Sequence, residues 1–203
     1  MAVAHTFWQH CALAEVYTLT TALLTLELLC LVQYARTGRP GWLVLLMVVN
    51  GVNVSNHLMA GLSFLCYAGL LFVLTLRRHI SAGFLLLALV CWTCGGGLYW
   101  GMVLQQLAHG GGLQDTLRSA FFGSYGRNVM NLTVGRRELV NTVMYLGLNF
   151  PTPLVLLLPL GLSSLRLPER RIYGTTLAAL LVVHLFWAMR YNVPDQYTFF
   201  IPS

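Results

Sequence analysis

Charge is what this chain has least of. Acidic and basic residues together make up 9% of its 203 residues, against roughly a quarter in soluble domains. Lysine is absent altogether, so the formal net charge of +6 rests on arginine alone. So few charges leave no room for a separate soluble domain. The arginines are scattered between apolar runs rather than gathered on one stripe, which argues against nucleic acid as a partner. The N-terminus lacks a basic n-region and a small-residue cleavage site, so it does not read as a signal peptide. Five cysteines, an odd number lying mostly inside apolar runs, make no disulfide framework. No ligand spacing for a metal stands out and no cofactor is implied. There is no internal repeat and no low-complexity tract.

Apolar residues are abundant instead, at 57%. The fold class that follows is all-α: a polytopic transmembrane bundle of about six spans, each of ~20 residues. We expect residues 1–203 to form a single transmembrane domain. The spans fall at residues 14–35, 42–54, 58–76, 82–104, 139–165 and 173–189. Trp42 to Leu76 is 35 residues, short for two full helices and a turn, so a half-depth pair meeting around Asn53–His57 is an alternative. Gly95-Gly-Gly97 is expected to kink or loosen the fourth span. Residues 105–138 form a longer hydrophilic connection, in which Asp115 to Arg137 offers either a short helix on the membrane surface or a plain loop.

The short connections carry Arg36 and Arg39, Arg77 and Arg78, then Arg166, Arg170 and Arg171. They alternate along the map, which assigns those turns to the cytoplasm. Both ends of the chain, Asn56-His57 and residues 105–138 then face outward. The chain opens and stops abruptly, and the expectation is a segment of a longer protein.

The polar residues concentrate on that outward side. Glu15 stands at the mouth of the first span, where an ionisable group is costly and is a functional candidate by default. At helical spacing His5, Trp8 and Glu15 lie near one face, with His10 and Tyr17 on a neighbouring one. Glu15, His57, Asp115 and Asp195 come from different elements and are expected to approach one outward-facing cavity. A carboxylate there suits a general base. The external Arg118 and Arg127 suit a phosphate, through bidentate charge-assisted hydrogen bonds.

Plainer readings stand beside these. Glu15 is also a fitting cap for its helix, and Trp8, Tyr17 and Trp42 fit an interfacial belt. Glu27 sits deeper and is expected to make an interhelical hydrogen bond. His184 reads as a packed neutral side chain. Cys91-Trp-Thr-Cys94 lacks the strand–helix context of a redox motif. His109-Gly-Gly-Gly reads as a flexible loop, and the sequon Asn131-Leu-Thr133 is short enough to occur by chance.

Taken together, His5-Thr-Phe-Trp8, Ala14-Glu15-Val-Tyr17-Thr-Leu and Gly51-Val-Asn-Val-Ser-Asn56-His57 resemble the protein O-mannosyltransferase-like membrane family of the GT-C glycosyltransferase superfamily. Leu146-Gly-Leu-Asn149-Phe-Pro-Thr-Pro153 and Asn192-Val-Pro-Asp195-Gln-Tyr-Thr-Phe-Phe-Ile-Pro202 are similar to segments of its membrane domain. The likeness covers nearly the whole chain. It implies sugar transfer from a polyprenyl-phosphate-linked donor to a protein or glycan acceptor, within membrane lipids and on the extracytoplasmic side. Glu15 would then serve as a supporting catalytic acid. His5, Trp8, His10, Tyr17, Asn56, His57, Arg118, Arg127 and Asp195 would line the substrate site. The family's principal acidic motif, expected upstream in the first external loop, has no counterpart, so the chain is expected to be catalytically incomplete as it stands. The rival class is a non-catalytic transporter, or a lipid-binding or structural membrane protein.

Overall fold

A computed structural model describes residues 16–122, 133–149 and 171–190. Every regular element among these residues is a helix: α1 (Val16–Thr37), α2 (Gly41–Asn56), α3 (Ala60–Leu76), α4 (Ala82–Gly95), α5 (Gly97–Ala108), α6 (Leu113–Phe122), α7 (Arg136–Asn149) and α8 (Arg171–Arg190). The helical class expected from composition is therefore observed. Residues 18–37 and α8 are each long and apolar enough to cross a membrane.

The turns follow from local chemistry. Gly38 takes a positive φ of 66° and its N–H returns to the Tyr34 carbonyl at 2.8 Å, a left-handed helix stop that glycine adopts without a Cβ penalty. Pro40 then starts α2, its fixed φ already helical. At the end of α3 the His79 N–H bonds to Leu74 O and the Arg78 N–H to Thr75 O. This is a Schellman pattern, but Arg78 occupies the left-handed position, at φ 59°. Ser81 caps α4 by accepting from the Phe84 N–H at 3.1 Å.

α2 is the central helix, packed against α1, α3, α4 and α5. The α2 and α3 pair, at 16 and 17 residues, spans about 24–26 Å each. Both are apolar and shorter than the two helices long enough to cross a membrane. The expected fourth span is two helices, bent by 70° at Gly96. The glycines here do more than break the helix. A Cβ at Gly95 would overlap the Val48 carbonyl oxygen, and one at Gly51 would overlap the Trp92 carbonyl oxygen. α2 and α4 thus cross backbone to backbone, the close approach that small residues permit between membrane helices. Of the two alternatives for the 105–138 connection a short helix is found, the ten-residue α6, and α5 extends into the connection as far as Ala108.

The bundle buries an apolar core that includes Leu31, Leu43, Leu46, Met47, Leu71 and Leu74, with a few polar side chains set within it, and its exterior is apolar as well. Glu27, Asn50, Asn53 and Ser63 are fully or almost fully buried, while Leu65, Leu86, Leu98, Met102 and Val182 are each more than 60% exposed. A soluble protein avoids such a contiguous apolar exterior. Thr25, Thr75 and Thr93 return their hydroxyls to carbonyls one turn back, which satisfies them without water.

Candidate functional site at the turn between α2 and α3

Helix polarity sorts the turns into two ends. Tyr34 near the end of α1 meets Tyr173 near the start of α8, ring to ring at 6.0 Å. Ser63 at the start of α3 meets His184 near the end of α8 at 2.8 Å. The turns carrying Arg36, Arg39, Arg77 and Arg78, together with Arg171, therefore gather at one end, and all five side chains are exposed. Asn56, His57 and the last turn of α8 lie at the other.

At this second end, α2 stops at Asn56, whose amide donates to the Thr20 hydroxyl of α1 at 2.8 Å. His57 follows in an extended conformation, and its Nδ1 accepts from the Met59 N–H at 3.2 Å. Nδ1 is thus the bare nitrogen and Nε2 carries the proton. Burial pushes the imidazole pKa below its ordinary value, again favouring the neutral ring.

Beside His57 lies a cavity of about 550 Å³ with walls from six helices and the α2–α3 turn, including Phe64, Trp92, Tyr99, Trp100, Phe121 and Trp187. Phe64 stacks on Trp92 at 4.2 Å, and Trp92 meets Trp100 edge-on at 5.8 Å. The 70° bend creates this space, because α5 turns away and brings Tyr99 and Trp100 toward the end of α2. The Tyr99 N–H reaches Ser55 Oγ at 3.4 Å and its hydroxyl holds the Ala120 carbonyl of α6 at 2.8 Å. Trp100 Nε1 is buried without a hydrogen-bond partner. The Arg190 guanidinium rests over the Trp187 ring at 4.5 Å, a cation–π contact. Aromatic and aliphatic walls with one imidazole at the edge suit an apolar chain better than a free sugar.

The expected site residues that are described do not share one cavity. His57 lines the cavity and Asn56 fixes the turn beside it. Arg118 is exposed on α6. Asp115 lines a separate cleft of about 510 Å³ between α5 and α6, with Tyr99 in the shared wall. His5, Trp8, His10, Glu15, Arg127 and Asp195 lie outside the described residues, as does the side chain of Tyr17. No carboxylate is found in the described lining of the larger cavity. Sequence reasoning passed over Trp92, Tyr99 and Trp100. Their clustering around the Gly-Gly-Gly break was the available signal.

Two plainer expectations hold geometrically. Glu27 makes interhelical hydrogen bonds, its Oε1 accepting from Asn50 at 3.2 Å and Asn53 at 2.9 Å. His184 is buried and hydrogen-bonded to Ser63. Cys91 and Cys94 are free thiols on α4. No group of three or more metal-ligating side chains occurs among the described residues.

These features define an all-helical protein with an apolar exterior and helices able to cross a membrane. No family model, curated protein or solved structure matches the chain.

Proposed function

We propose that the chain is a membrane-embedded glycosyltransferase segment of the GT-C kind. It would transfer a sugar from a polyprenyl-phosphate donor to a protein or glycan acceptor at the outward face. The observation that carries this reading is the aromatic cavity of about 550 Å³ beside His57. Isoprenoid units are apolar and branched, and they gain free energy from burial against such walls. The His57 imidazole lines this cavity, where the donor phosphate would lie, and Arg190 adds a positive charge near Trp187. Glu15 would orient the acceptor hydroxyl while these cations and donors stabilise the departing lipid phosphate. About six spans, with the arginine turns inward and both ends of the chain outward, complete the proposal.

The lack of a carboxylate in the described lining favours a second reading, lipid binding without catalysis. A photoactivatable polyprenyl-phosphate hexose in membranes containing the chain separates the two. Crosslinks at Phe64 or Trp100, lost in Leu62→Trp, together with sugar transfer that stops in Glu15→Gln when the upstream acidic loop is supplied, support the transferase. Crosslinking without transfer even with that loop present supports lipid binding alone, and absence of crosslinks sinks both.

A further inference from the structure

Near the middle of the bundle, three side chains from three helices leave polar atoms unsatisfied. Glu27 of α1, Asn53 of α2 and Tyr67 of α3 are no more than 1% exposed. Glu27 Oε2, Asn53 Oδ1 and the Tyr67 hydroxyl are buried without a hydrogen-bond partner. The Tyr67 hydroxyl faces the Glu27 carboxylate as its hydrogen-bonding neighbour, but without the geometry of a direct hydrogen bond. The amide donors nearby are already engaged. Asn50 Nδ2 serves both Glu27 Oε1 and the Ala60 carbonyl, and Asn50 Oδ1 is taken by the Trp92 indole at 2.9 Å. The titratable groups facing Glu27 are Tyr67 across the interface and Cys30 on its own helix. Neither supplies a positive charge, and no described arginine or histidine contributes there.

An ionised carboxylate at this depth, about 14 Å along the helix from Thr18, is strongly disfavoured unless something compensates its charge. We propose that Glu27, Asn53 and Tyr67 form an oxygen-lined site for one small monovalent cation, a proton or sodium. A single positive charge makes the site neutral, whereas a divalent ion would leave a net charge in an apolar interior. Oxygen donors suit a hard ion rather than a soft one. The site also has a polar route to the outward end. Asn50, Asn53 and Asn56 recur at every third residue of α2, covering about 9 Å, and Asn56 joins Thr20 beside the His57 turn. This site does not depend on sugar transfer, and it touches the aromatic cavity only through Asn50, which bonds Trp92 in the cavity wall.

The test uses the full chain in detergent. An apolar carbodiimide, which modifies only protonated buried carboxyls, is followed by mass spectrometry of the Glu27 peptide, alongside thermal unfolding of wild type and Glu27→Gln. The glutamine keeps the Oε1 acceptor and is neutral, so this variant should fold. For a proton site, labelling falls about tenfold per pH unit above its midpoint and is indifferent to sodium. For a sodium site, sodium chloride protects Glu27 and raises the unfolding midpoint relative to choline chloride at equal ionic strength. In either case Glu27→Gln loses the response. If both proteins respond alike to sodium and pH and Glu27 labelling is absent or insensitive, the proposal fails, and a buried water is sufficient for the unsatisfied atoms.

Discussion

The crossing of α2 and α4 can be tested with one methyl group. A Cβ at Gly51 would overlap the Trp92 carbonyl oxygen and lie 2.9 Å from Gly96 N and 3.1 Å from Gly95 C. All three are backbone atoms, so no rotamer change relieves the contact and α4 itself must move. Overpacking of this kind costs about 1–3 kcal/mol. The displacement would also strain the Trp92–Asn50 hydrogen bond at 2.9 Å, worth about 1 kcal/mol. Against this, replacing glycine by alanine within a helix gains about 0.5–1 kcal/mol. Gly51→Ala should therefore destabilise by about 1–3 kcal/mol. For a chain of this length the midpoint falls about 2–4 °C per kcal/mol. Gly69→Ala is the matched control, because a Cβ there meets nothing within 4 Å and only the helix gain remains. Thermal unfolding in detergent, followed by circular dichroism and tryptophan emission, reads both variants. Equal midpoints for the two would refute a backbone-to-backbone crossing.

Three further outcomes are expected. Asn50→Leu strips partners from Glu27, the Ala60 carbonyl and Trp92 at once. It should cost about 1–3 kcal/mol and shift Trp92 emission, whereas an unchanged midpoint would show that the network carries little energy. Arg78→Gly relieves a left-handed residue at φ 59° and should stabilise by about 1 kcal/mol; Arg77→Gly, at φ −80°, should not. His57 is held neutral by burial, its pKa lowered from the ordinary 6.5. Below that pH the unfolded chain binds a proton that the folded one resists, so His57's contribution is complete above about pH 6.5 and is lost as pH falls through the folded value. His57→Gln should flatten this acid limb of the midpoint–pH curve, and an identical limb would remove His57 as its cause.

Much of the local architecture was legible in the chain. Apolar run lengths set α1, α2, α3 and α8 to within a few residues, because a helix in an apolar medium must satisfy its own backbone. Gly95-Gly-Gly97 announced a break, and Glu27 announced an interhelical partner, since a buried carboxyl is rarely left alone. What remained hidden were pairings across long sequence separations. Nothing around Glu27 says that its partners stand 23 and 26 residues away, nor that Ser63 meets His184 across 121. The aromatic cavity was equally obscure, because Trp92, Tyr99 and Trp100 also fit an ordinary membrane belt.

By itself the sequence determined the class and the polarity of the molecule. Scarce charge and long apolar runs point to apolar helices, and Arg36, Arg39, Arg77, Arg78 and Arg171 mark one end of the bundle. Tertiary structure alone decided what those helices enclose. The 70° bend opened a cavity where a straight span would have closed it. The touching backbones at Gly51 and Gly95 brought Trp92 onto Asn50, and Asn50 onto Glu27. Periodicity records which face of a helix is polar, but only packing in three dimensions selects the face it meets.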